Sequence, residues 1–90
     1  MKNPVKYVLI ALLMMSQAVF ALPEGSVNVN TAEPALLAEI LDGVGASRAQ
    51  AIVDYREKFG EFASEEDLLD VRGIGPHVVE VNRGKIAFSD

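Results

Sequence analysis

"LDGVGASRAQA" occupies residues 41–51 and "DVRGIGPHVVE" residues 70–80. Leu41, Gly43, Val44 and Gly45 of the first stretch match Val71, Gly73, Ile74 and Gly75 of the second, each pair separated as Gly43 is from Gly73. A turn that only reverses the chain needs one residue tolerant of positive φ. A paired Gly-hydrophobic-Gly turn, present twice in 90 residues, asks for more than reversal. The apolar residue between the glycines can plug a core, and the bare glycines leave the backbone open to close approach.

Helical patterns flank both turns. Before the first, Leu36, Leu37, Ile40 and Leu41 recur at helical spacing. Asn30 or Thr31 is placed to cap this helix, and Pro34 falls in its first turn, where a missing N–H costs little. After the first turn the pattern predicts a helix from Ala46 to Lys58, with Ala49, Ile52, Val53 and Phe59 near one face and Gly60 as its C-terminal stop. Ser64 and Asp67 in "SEED" form a capping box with Asp in place of Glu, opening a short third helix that buries Leu68, Leu69 and Val71. Pro76 sits at the first position of a fourth helix, which Asn82 to Gly84 stop, and Ile86 and Phe88 return to the core. Each copy therefore reads helix, turn, helix, and two such hairpins can bury one core that neither buries alone. The expected fold is all-α, four to five short helices over residues 31–88, behind an extended lead-in over residues 22–30.

The first 21 residues read differently. Lys2 and Lys6 precede the apolar run "YVLIALLMM", residues 7–15, and small residues follow in "AVFA", residues 18–21. A basic start, a short apolar middle and a small-residue end describe a signal peptide over residues 1–21. The run is shorter than the roughly 20 residues that cross a bilayer. Cleavage after Ala21 or Ala18 would make the protein periplasmic or otherwise exported, and an uncleaved segment would anchor it to a membrane. Cleavage after Ala21 removes Lys2 and Lys6, leaving 6 of the 8 basic residues against 13 acidic ones, so the net charge moves from −5 to −7. That argues against a protein that holds nucleic acid by a broadly basic surface. It leaves open a local phosphate site built from backbone amides.

The chain has no cysteine, which excludes a thiol nucleophile and a cysteine metal site. Its single histidine, His77, has no companions at ligand spacing. No catalytic residue, metal, cofactor or small-molecule substrate is indicated, and the chain reads as a non-enzyme. The turns carry the chemistry instead. Unpaired N–H groups at a helix start, with the helix dipole behind them, form an anion site. The amides of Val44, Gly45 and Ala46 can hold one phosphate beside Gly43 and Arg48, and those of Ile74, Gly75 and His77 a second beside Gly73. Phosphate contacts carry no base information, so the expected ligand is nucleic acid of any sequence. Arg48, Arg72, Arg83 and Lys85 are the cations near the turns. His77 reads equally as a phosphate contact or as an exposed residue at a helix start.

"GVGASRAQAIVDYREKFGEFASEEDLLDVRGIGP", residues 43–76, resembles the tandem helix-hairpin-helix domain of ComEA-like competence proteins, and "VNVNTAEPALLAEIL", residues 27–41, resembles that family's lead-in and first helix. The resemblance implies an exported or membrane-anchored receptor that binds double-stranded DNA without sequence preference during natural transformation. It also implies an inner-membrane DNA-uptake machinery as a further partner. Three positions depart from the family pattern: Asp42 where proline is frequent, His77 where lysine or arginine is frequent, and Val79 where a small alanine is usual. The tandem hairpins are similar, too, to those of the small extrinsic subunit of photosystem II, where the fold serves assembly. A non-catalytic protein-interaction module is therefore the alternative function, and the acidic charge favours it.

Overall fold

The computed structural model describes residues 22–90, so the expected signal peptide, residues 1–21, lies outside the described residues. The chain runs through strand β1 (Val27–Asn28), helix α1 (Pro34–Ile40), helix α2 (Gly45–Phe59), helix α3 (Glu65–Leu68), helix α4 (Pro76–Val81), a 3₁₀ turn (Arg83–Lys85) and strand β2 (Ile86–Ala87). Four helices form the two expected hairpins, α1 with α2 and α3 with α4. Among these residues no helix is long and apolar enough to cross a membrane.

Local chemistry explains most boundaries. Pro34 and Pro76 each stand at the start of a helix, with fixed φ and no N–H to leave unsatisfied. Gly60 ends α2 with φ +101, a conformation that a side chain would strain, while its N–H donates to the Arg56 carbonyl. The capping box opens α3: the Asp67 carboxylate accepts from the N–H of Ser64 at 3.3 Å and of Ala63 at 2.7 Å. Residues 78–81, valine-rich and able to form a strand, are helical because Pro76 and the buried Val79 fix the segment against the core.

Both hairpins feed one apolar core. Leu37 from α1, Ala49, Ile52 and Val53 from α2, Leu68 from α3 and Val79 from α4 are buried together with the turn residues Leu41, Val44, Val71 and Ile74. Removing one such Leu or Ile side chain from water is worth about 1.5–3 kcal/mol. Phe62, in the connection between the hairpins, is buried and stacks on Tyr55, ring centroids 5.2 Å apart. Phe59, expected on the buried face of α2, is 64% exposed and lies against Tyr55 at 4.7 Å. Its position at the last residue of the helix carries it past the core. Leu69 is likewise exposed, because α3 is a single turn and only Leu68 and Val71 face inward.

The lead-in packs more deeply than an extended tether. Val27 and Val29 are fully buried, and β1 pairs in parallel with β2, Val27 opposite Ile86 and Asn28 opposite Ala87. This strand pair joins the two ends of the domain and adds to the helical architecture. The expected cap of α1 by Asn30 or Thr31 is not formed: the N-cap is Glu33, without a side-chain bond. Asn30 is used elsewhere. Its side chain accepts from the Phe62 N–H at 2.6 Å and donates to the carbonyls of Phe62 and Phe88, each at 2.9 Å. It thus ties together the lead-in, the inter-hairpin connection and the C-terminal segment.

Candidate nucleic-acid interface

The two glycine turns are alike in role and unlike in backbone. In the first, Gly43 and Gly45 both take positive φ, +74 and +68. Val44 between them lies in the right-handed helical region, and Gly45 opens α2. In the second, Gly73 has φ +91, but Gly75 is extended at φ −105, ψ 178 and acts as the N-cap of α4. The intervening side chains do what the pattern indicated: Val44 and Ile74 are buried and line one small apolar crevice with Leu41, Ile52 and Val79.

The amides divide accordingly. Among the described residues none of the N–H groups of Val44, Gly45 and Ala46 makes a well-aligned bond to a backbone carbonyl, although residues 42–44 form a turn on Leu41, and these donors stand at the start of the 15-residue α2. In the second turn the expectation for Ile74 is corrected. Its N–H donates to the Val71 carbonyl at 3.0 Å, which closes the turn and takes that donor out of any anion site. Gly75 and His77 keep theirs, and Pro76 has none. His77 is exposed in the first turn of α4.

The charged groups around the turns are largely paired. Asp42, which brings negative charge beside the first turn, is neutralised by Lys85 at 2.7 Å. Arg83 is paired with Glu65 at 3.1 Å. These pairs remove two of the four cations that sequence placed near the turns. Arg72 makes no ion pair among the described residues; it borders a groove of about 280 Å³ with Ala51, Asp54, Tyr55, Lys58, Phe59 and Asp70. The Tyr55 hydroxyl donates to Asp70 at 3.4 Å, and partial burial together with the Asp70 charge pushes its pKa up. Arg48 is exposed, and its guanidinium donates to the Gly43 carbonyl at 3.1 Å.

Sequence reading missed the residue that ties the second hairpin to the first turn. Asn82, at the C-cap of α4, is 1% exposed. Its Oδ1 accepts from the Asp42 N–H at 2.7 Å, while its Nδ2 donates to the Asp42 and Val78 carbonyls, each at 2.8 Å. The second hairpin thereby grips the backbone just ahead of Gly43. Asparagine at a helix end is so ordinary that its sequence position carried only a stop signal. Among the described residues no group of three or more His, Cys, Asp or Glu is arranged to hold a metal ion.

Two hairpins, each with a glycine turn plugging a shared core, define a class. Residues 23–87 match the family described as the helix-hairpin-helix motif, and the chain belongs to that family. ComE operon protein 1 of Bacillus subtilis is 45% identical over 60 residues, 67% of this chain and 29% of that protein. With the family match, that similarity makes the chain a ComEA-like helix-hairpin-helix protein. A protein of Haemophilus influenzae described as uncharacterized is 44% identical over 73 residues, 81% of this chain and 65% of its own length. Human S1 RNA-binding domain-containing protein 1 is 42% identical over 50 residues, 56% of this chain and 5% of its own length. The chain thus spans less than two thirds of each of these relatives.

Proposed function

We propose that this protein is a non-catalytic receptor for double-stranded DNA, acting outside the cytoplasm in DNA uptake during natural transformation. The observation that carries the reading is the first turn: two positive-φ glycines place three amides, none in a well-aligned backbone bond, at the start of a long helix. Such a helix start favours anions. The second turn adds the Gly75 and His77 amides, and Arg48 supplies a cation. The similarity to ComE operon protein 1 supports a place in competence, with an inner-membrane uptake machinery as the further partner. The departures at Asp42 and Val79 are compatible with this reading, since Asp42 is paired and Val79 is buried.

Binding through about two to four phosphates predicts weak, sequence-independent affinity with a log–log salt slope of about −2 to −4. A mobility-shift titration of residues 22–90 against unrelated duplexes at two salt concentrations tests this. Equal affinities and that slope support it, and a strong preference for one sequence contradicts it. Fractionation tests the location: a mature form beginning near Leu22 outside the cytoplasm is expected, and a soluble cytoplasmic form retaining Met1 contradicts it.

The second reading is a protein-interaction module, favoured by the net charge of −7 on residues 22–90 and by the exposed Phe59 and Leu69. It predicts no duplex binding at any salt concentration that keeps the protein folded.

A further inference from the structure

Arg48 stands three residues beyond Gly45, in the first turn of α2, yet its side chain reaches both hairpin turns. At one turn its Nη1 donates to the Gly43 carbonyl at 3.1 Å. At the other it lies directly over Gly73. A Cβ built on Gly73 would sit 3.0 Å from Arg48 Nε, 3.1 Å from Cγ and 3.3 Å from Cδ. Of the seven glycines, Gly73 alone has any atom so placed within 4 Å of a built Cβ; at Gly43, Gly45 and Gly75 the space is open. The missing side chain at Gly73 is therefore needed twice, for φ +91 and for the passage of the arginine.

We infer that Arg48 is a positioning residue that fixes the spacing between the two turns, over and above any charge it offers to a ligand; this rests on the reading that both turns hold phosphates of one DNA duplex. The chemistry suits an arginine. Its planar guanidinium carries five N–H donors in a fixed fork, so one can hold the Gly43 carbonyl while the stem packs on Gly73 and the rest face solvent. Lysine keeps the charge but has a single nitrogen and no planar fork, so it cannot hold both turns in this way. Other tethers do not substitute. Asn82 grips Asp42 from the far end of α4, and Lys85 reaches only the Asp42 side chain. Neither side chain is hydrogen-bonded to the Gly73 turn among the described residues.

The test compares Arg48→Lys with the parent, using residues 22–90 and one random-sequence duplex. A point-charge role predicts that the lysine variant binds as the parent does. Positioning predicts about tenfold weaker binding with the net charge unchanged. Arg48 is exposed, so the urea midpoint should stay at the parent value; a midpoint lowered as far as binding would instead make the residue structural and overturn the inference. Gly73→Ala gives the second arm: it changes no charge but displaces the arginine, and combining it with Arg48→Lys should cost little beyond the larger single loss. A readout without DNA separates this inference from the proposed function. In the free protein, Arg48→Lys should shift the amide resonances of Gly73, Ile74 and Gly75 as well as those of Gly43 to Gly45. Shifts confined to the first turn overturn the positioning role whether or not DNA binds. A parent that fails to bind any duplex, with the shifts present at both turns, refutes the DNA reading alone.

Discussion

Replacing Asn82 by alanine is the most informative perturbation of the fold, because one side chain makes three hydrogen bonds at 2.7–2.8 Å while 1% exposed. Truncation leaves the Asp42 N–H, the Asp42 carbonyl and the Val78 carbonyl without this partner. An orphaned buried group costs about 1–3 kcal/mol, but Asp42 is itself exposed and water can reach part of its backbone. A total loss of about 2–4 kcal/mol is therefore expected, against about 3–10 kcal/mol for a domain of this size. On a domain this small that lowers the melting temperature by about 10–25 °C. Urea unfolding followed by far-ultraviolet circular dichroism measures it. Asn82→Asp sharpens the test. A carboxylate there could still accept from the Asp42 N–H but would face the Asp42 and Val78 carbonyls that now receive donated bonds. Only the protonated acid can donate, so folding raises its pKa. The variant's extra instability should then be greatest at neutral pH and shrink, relative to the parent, as pH falls through that raised value. A loss under about 0.5 kcal/mol for Asn82→Ala would show that the bonds between the hairpins do not hold the first turn in place.

Two further outcomes follow from the geometry of particular residues. Gly45→Ala forces a side chain into φ +68 and should cost about 1–2 kcal/mol, whereas Gly75→Ala, extended and in open space, should change stability by less than about 0.5 kcal/mol; equal losses in urea would contradict the asymmetry of the turns. Tyr55 should ionise above the ordinary tyrosine value, through partial burial and then the Asp70 charge, and Asp70→Asn should bring it part of the way back. Because folding raises that value, the associated stability is complete below the unfolded tyrosine pKa and is lost as pH climbs through the folded one; absorbance titration of residues 22–90, where Tyr55 is the sole tyrosine, reads the ionisation directly.

The helical hairpins were legible because their signals are local. Pro76, Gly60, the Ser64–Asp67 box and the paired glycines each act within a few residues of where they stand. What sequence could not supply was long-range. Asn30, Asn82 and Arg48 make their decisive contacts across 32, 40 and 25 positions, and no periodicity announces such partners. Gly75 matches Gly45 in sequence but not in backbone, because glycine serves extended and left-handed conformations alike and only dihedrals separate them. The Ile74 amide failed for a similar reason: one turn closes on itself through Val71 and the other is held from outside by Asn82. Phe59 and Leu69 look apolar and inward by spacing, but each sits at the end of its helix, beyond the residues that pack on the core.

Contact between the glycine turns and DNA phosphates is tested most directly by amide chemical-shift mapping. Titrating isotope-labelled residues 22–90 with a short random-sequence duplex should move the backbone amides of Val44, Gly45, Ala46, Gly75 and His77 most. The Ile74 amide, bonded to Val71, should move less than its neighbours. Shifts centred instead on the exposed residues Leu69, Glu80 and Val81, or none at DNA concentrations well above that of the protein, would contradict it.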